Sequence, residues 1–306
     1  MEPAEPLLQD LTTEQSNPAS TAIDMLSALA IVRLMNGEDR VVPEAVGNVL
    51  PVIAAAVDAI SARMQAGGHL FYIGAGTSGR LGTLDAAECP PTFSTPPELV
   101  QALIAGGATA LTHAVEGAED DAAAGRRDLL AAGLGAGDAV VGISASGRAP
   151  YVLGALGLAS ELGAITIGLC CTANSAFVGH CDMVIAPIVG PEILTGSTRL
   201  KAGTAQKLVL NMLSTATMIR QGKCYGNLMV DMRATNSKLR DRAARMVSSV
   251  TGSDYAVAWS TLEAAEFETK VAIVMLKATV SRDEAQRRLA AGGGQLRAAL
   301  LVPDPS

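Results

Sequence analysis

The apolar positions of the chain change period twice. From Ala22 to Asn36, and again from about Pro43 to Met64, they recur at three- and four-residue spacing, which predicts amphipathic helices. Pro43 suits a first helical turn, Pro51 is expected to kink or split the second run, and Gly67 and Gly68 supply a stop. Five short, β-branched apolar runs follow: HLFYIG (69–74), LVQALIAGG (99–107), DAVVGISASG (138–147), AITIGLCC (164–171) and DMVIAPIVG (182–190). Helical spacing lies between most of them, as in YVLGALGLASELG (151–163). Strands that alternate with helices predict an α/β fold with a parallel sheet covered on both faces. From 194 to about 221 the pattern is helical again. Beyond Asn227 it stays helical and rich in Arg and Lys, with a glycine break at 292–294, so a small separate bundle is expected. The predicted division is an N-terminal arm and helices at 1–57, a sheet domain at 58–225 and a helical region at 226–306. The first twenty residues, polar and proline-bearing, read as an arm that is flexible or ordered by a neighbour.

Composition narrows the function. The chain is 49% hydrophobic, yet no uninterrupted apolar stretch reaches the length of a membrane span. The opening MEPAEPLLQDLTTEQS lacks the basic and apolar regions of a secretory signal. A net charge of −7 argues against a nucleic-acid partner, which demands a basic face. The five cysteines include the adjacent pair Cys170 and Cys171 and no metal-type C-x-x-C, so free thiols in a reducing cytoplasm are expected. His69, His113 and His180 stand far apart, and no metal site is expected from them.

Ligands of a parallel sheet bind outside the carboxyl ends of its strands. Two turns there carry phosphate-type chemistry. GAGTSG (74–79) follows a strand and enters a helix; its glycines, including Gly76, bring N–H groups close, and Thr77 and Ser78 add hydroxyls. The same residues fit the dinucleotide fingerprint, but the next strand ends in Ala-Gly-Gly with no ribose-binding acid, which favours a phosphorylated small molecule. SASG (144–147) ends another strand, and Ser144 and Ser146 are placed to meet the phosphate from its other side. A plain serine-rich turn is the alternative for SASG alone. Glu88, in DAAECPPTF among small residues and ahead of two prolines, is a candidate acid or base. Glu116 and Glu119, in HAVEGAEDD, cannot be ranked by spacing, and a run of acids is commonly a solvated face. Arg199 or Lys201, near a helix start, is a candidate to balance the substrate's charge or simply a surface cation. No G-x-S-x-G elbow supports a serine nucleophile.

Taken together, TEQSNP (13–18), YIGAGTSGRLGTLDAAECPPTF (72–93), LIAGG with HAVEGAEDD (103–121), VVGISASGRAPYV (140–152), PIVGPEILTGSTRLKAGTAQKLVLNMLST (187–215) and GKCYGNLMVDMRATNSKL (222–239) closely resemble the N-acetylmuramic acid 6-phosphate etherase family. The resemblance extends to its longer animal relative, glucokinase regulatory protein. It implies a sugar isomerase (SIS) fold with a five-stranded parallel sheet. It also implies cleavage of a lactyl ether to N-acetylglucosamine 6-phosphate and D-lactate, as a cytoplasmic homodimer needing neither metal nor nucleotide. By that resemblance Glu88 is the acid/base, Glu119 the second active-site glutamate, and Ser78, Ser144 and Ser146 the phosphate serines. Ala30, where relatives carry Glu, and TANSA at 172–176 depart from the family pattern. A sugar-phosphate sensor without catalysis is the competing class, and an aldose–ketose isomerase of the same fold a third. A sensor would require neither glutamate.

Overall fold

The computed structural model describes residues 12–232 and 234–302. Most of the predicted arm, 1–11, lies outside them. The first predicted helix arrives in two pieces. Ile23–Met25 forms a 3-10 turn and Leu26 returns to extended backbone. Ser27 then caps α1 (Ala28–Asp39), its hydroxyl oxygen accepting the Ala30 N–H. The second predicted run is α2 (Val41–Gly47) and α3 (Leu50–Gln65). Pro51 falls in the first turn of α3, where a missing N–H removes no helical hydrogen bond, so it starts a helix rather than bending one.

The five apolar runs form β1 (Leu70–Gly74), β2 (Val100–Ile104), β3 (Ala139–Ile143), β4 (Ile165–Leu169) and β5 (Met183–Ile185). They pair in the order β2-β1-β3-β4-β5, all parallel. The chain leaves β1 for one neighbour, β2, and later returns to the other side as β3. The strand order therefore reverses between β1 and β3, which opens a crevice at their carboxyl ends. On one face Phe71, Ile73 and Val140 pack with Tyr151, Val152 and Leu156. These three belong to α6 (Pro150–Leu162), which follows α4 (Gly76–Phe93) and α5 (Ala122–Ala131). Gly142 allows that approach; a Cβ there would stand 2.5 Å from Leu156. On the other face α4 comes close enough that a Cβ on Gly82 would stand 3.1 Å from Tyr72 and 3.2 Å from Ile143. The parallel sheet with helices on both faces, predicted from periodicity, is observed.

After β5 the segment 194–200 is not helical, as the sequence had suggested, but a loop. Helix begins at α7 (Lys201–Arg220). The buried carboxylate of Glu192 explains the boundary. Its two oxygens accept the Lys201 and Ala202 N–H groups at 3.0 and 2.9 Å, satisfying donors that a helix start leaves free.

The chain divides into two compact units, 1–87 with 98–214 and 88–97 with 215–306. The second holds α8 (Ser237–Thr251), α9 (Tyr255–Ala264), α10 (Thr269–Ala278), α11 (Arg282–Ala291) and α12 (Leu296–Ala299) around Val247, Leu262, Ile273 and Val274. The helical pattern predicted beyond Asn227 is interrupted within 254–278, between α9 and α10, where Glu266 and Phe267 take positive φ. Among the described residues no single helix is long and apolar enough to cross a membrane.

Candidate active site

The crevice is built from the two predicted turns. At the end of β1 the chain doubles back so tightly that a Cβ on Gly74 would meet the Gly79 backbone at 2.7 Å. Gly76, with φ +53°, opens α4. Gly79 donates its N–H to the Ala75 carbonyl. The preceding N–H groups of the first turn have no intrahelical acceptor and are available to an anion, which the helix end also favours electrostatically. After β3, Gly147 turns at φ +64°; any Cβ there would collide with Ser175 Oγ, 1.8 Å away. The turn is internally bonded. Ser144 Oγ accepts the Gly147 N–H at 3.1 Å and lies 3.4 Å from Ser146 Oγ.

Between these turns lies a cleft of about 260 Å³, whose lining includes Gly76, Thr77, Ser78, Ser144, Ser146 and Glu119. Glu14, Gly196 and Thr198, from outside the predicted turns, also line it. Ser78 and Ser144 are nearly buried, so their hydroxyls are held rather than free to rotate in solvent. Ser78 donates to Gln206 Oε1 on α7 at 2.9 Å, and Gln206 is itself buried. Among the described residues no lysine or arginine is part of the lining. An anion there is met by N–H groups, hydroxyls and a helix end, with two carboxylates elsewhere on the wall.

Glu119 sits in the 3-10 turn Ala118–Asp120, just after Gly117 at φ +70°. Glu116 and Glu119 both line an adjoining hollow with Arg80, but Glu119 alone of the two extends into the serine cleft. Arg80, from α4, donates to the carbonyls of Ala110 and Leu111 at 3.0 and 3.2 Å, tying the segment that precedes this turn to the phosphate-type helix.

Two predicted residues take other places. Glu88 lies on α4 ten residues after Ser78, about 15 Å further along the helix by its rise per residue. It is exposed, not enclosed by the apolar surroundings that its neighbours in sequence suggested. Pro90 and Pro91, just beyond it, lie inside the helix; α4 continues through both to Phe93. Lys201 is buried, and its ammonium donates to Glu38 Oε2 on α1 at 2.7 Å instead of lining the cleft. That ammonium, with help from Asn17, holds the Glu38 carboxyl below the usual glutamate range. Arg199 is exposed in the loop before α7. Among the described residues no three His, Cys, Asp or Glu side chains gather as a metal would require.

Sequence reasoning did not single out Glu14, Gln206, Gly196 or Thr198. Gln206 meets Ser78 across 128 positions of sequence, a contact that no local pattern announces.

Comparison with known proteins adds an independent line. Residues 52–160 match the model of the glucokinase regulatory protein N-terminal SIS domain, and residues 118–216 match the SIS domain model. A protein of Serratia proteamaculans named N-acetylmuramic acid 6-phosphate etherase is 56% identical, covering 95% of this chain and 98% of its own. One of Streptomyces coelicolor with the same name is also 56% identical, over 96% and 95%. A third, from Caldanaerobacter subterraneus, is 50% identical over 97% of each chain.

Proposed function

The chain belongs to the N-acetylmuramic acid 6-phosphate etherase family, and from that premise we propose that its crevice binds the 6-phosphate sugar and splits off D-lactate with Glu88 and Glu119 as the proton-transfer groups. The observation that carries this reading is the convergence of Ser78, Ser144, Ser146 and Glu119 on one cleft at the strand-order reversal. Phosphate takes the donor side, at the start of α4 and the Ser144–Ser146 turn. The sugar then extends along the wall that holds carboxylates.

An alkyl ether resists hydrolysis because its alkoxide is a poor leaving group. Ring opening supplies an aldehyde, which acidifies the proton on the adjacent carbon. A carboxylate removes that proton. The electron pair forms a carbon–carbon double bond as the neighbouring carbon–oxygen bond breaks, and the departing lactate oxygen takes a proton. Water then adds across the double bond at the carbon that lost lactate, giving N-acetylglucosamine 6-phosphate. General acid–base catalysis contributes about 10² to 10⁴ per group, and the phosphate grip supplies orientation. In this scheme Glu88 exchanges the proton at the reacting carbons, and Glu119 assists lactate departure or the addition of water.

Glu88 acts from a neighbouring chain in this reading. It is exposed on α4 one turn beyond exposed Leu84. Helix α1 buries none of its residues and exposes Leu29 and Val32. These faces support a homodimer, in which a second copy covers them. The five free thiols fit a cytoplasmic setting. The relatives' names favour an enzyme over the non-catalytic sensor. Incubation with N-acetylmuramic acid 6-phosphate and assay of free D-lactate is the direct test; no lactate from folded protein would overturn the proposal.

A further inference from the structure

Glu14 is the carboxylate of the cleft to which the scheme above assigns nothing. It ends the 3-10 turn Thr12–Glu14 and lines the same cleft as Ser78, Ser144 and Glu119. Its Oε2 lies 3.5 Å from the place a Cβ would take on Gly196, so the carboxylate reaches the wall that Gly196 forms. Among the described residues it makes no hydrogen bond or ion pair. The segment behind it is firmly seated. Thr13, Asn17 and Ser20 are buried. Asn17 accepts the Ala19 N–H and donates to Glu38 at 2.7 Å and to the Pro191 carbonyl at 3.3 Å. Glu38 is in turn held by Lys201. Three parts of the fold therefore fix a short stretch whose exposed carboxylate is left facing a cleft of hydroxyls and N–H groups.

An ionised carboxylate only accepts hydrogen bonds, and it repels phosphate. Within a cleft whose opposite wall is made of donors, it selects ligands that carry hydroxyl donors at the end away from the phosphate. We propose that Glu14 is a substrate-contacting specificity residue: its carboxylate accepts hydrogen bonds from sugar hydroxyls and sets which end of the sugar phosphate faces α4. This rests on the reading that the cleft holds a sugar phosphate.

The test compares two probes by calorimetry, N-acetylglucosamine 6-phosphate and inorganic phosphate, on wild type, Glu14→Gln and Glu14→Asp. Binding of the sugar phosphate is read without lactate chemistry. A hydrogen bond to a charged group corresponds to roughly a ten- to hundredfold change in affinity. Glu14→Gln is expected to weaken the sugar phosphate by that factor and to leave inorganic phosphate unchanged or tighter, at an unchanged melting temperature. Glu14→Asp is expected to recover part of the loss. Unchanged sugar-phosphate affinity overturns the inference and leaves the cleft assignment standing. Equal losses for both probes with a lowered melting temperature also overturn it, because they mark a structural role for the arm. Failure of wild type to bind either probe overturns the cleft assignment itself, and this inference with it.

Discussion

The pair Lys201–Glu38 separates an anchoring role from a substrate-binding one by the cost of breaking it from each side. The Lys201 side chain is 3% exposed and that of Glu38 24%. Removing Glu38, as in Glu38→Ala, strands a buried ammonium; losing one partner of a buried pair costs about 3–5 kcal/mol, and about 3 is expected here because one partner is partly hydrated. Lys201→Met strands a carboxylate that still reaches water and keeps the Asn17 amide. Its cost is about 1.5–2 kcal/mol, the low end of the scale of one charged hydrogen bond. The two changes together remove the charge conflict, so the double variant should be more stable than Glu38→Ala alone. Urea unfolding at pH 7 measures all three. The sign with pH follows from the depressed Glu38 carboxyl: its contribution is complete above the unfolded glutamate value of about 4.3 and is lost as pH falls through the lower folded value. The gap between wild type and Glu38→Ala should therefore shrink in acid. Additive losses in the double variant would refute this reasoning. So would a Lys201→Met protein of wild-type stability that has lost its sugar-phosphate affinity, since that would return Lys201 to the substrate.

Glu88→Gln is expected to bind N-acetylglucosamine 6-phosphate normally while lactate release falls at least about a hundredfold; Glu119→Gln should also lose most turnover, and near-normal lactate production in either would remove that residue from the scheme. Gln206→Leu leaves the Ser78 hydroxyl without its acceptor, so KM should rise about three- to tenfold with a smaller change in kcat; a fall in kcat alone would contradict an orienting role. Burial pushes the Cys170 and Cys171 thiols up and the Cys181 thiol up to about 12. A thiol reagent at pH 8 should label these three only after unfolding, and stoichiometric labelling of the folded protein would show them more open than the structure has them.

Local periodicity carried the fold because the central strands β1 and β3 of the doubly covered sheet are buried at every position and read as unbroken apolar runs, which stand out against helical spacing. All five strands fall inside their predicted stretches. The boundaries that moved are those that a distant group decides. The loop at 194–200 looks helical by composition, but Glu192 occupies the helix start at Lys201 and fixes where α7 begins. Likewise the run at 254–278 lacks any glycine or proline, yet Glu266 and Phe267 turn it at positive φ. Arg240 stacks 4.4 Å over the Phe267 ring, and Arg282 pairs with Glu266 at 2.6 Å, contacts spaced 27 and 16 residues apart in the chain.

The site divides along the same line. Glycine-rich turns after strands are legible because their chemistry is backbone chemistry: short residues at a strand end expose N–H groups whatever the rest of the fold does. Charged side chains are not legible in this way, because their role depends on what they meet. Lys201 beside a helix start reads as an anion ligand, and burial against Glu38 makes it part of the framework. Glu116 and Glu119 are equivalent in sequence, and the turn at Gly117 carries one of them into the cleft. Glu14 sits in a polar arm with no pattern of its own. It becomes visible only because Asn17 fastens that arm to Glu38 and Pro191, beside the loop that supplies Gly196 and Thr198. The Lys201–Glu38 pair thus bears on specificity as well as stability. Removing Glu38 takes away an anchor of the segment that carries Glu14, so Glu38→Ala should weaken N-acetylglucosamine 6-phosphate more than inorganic phosphate although Glu38 itself does not line the cleft.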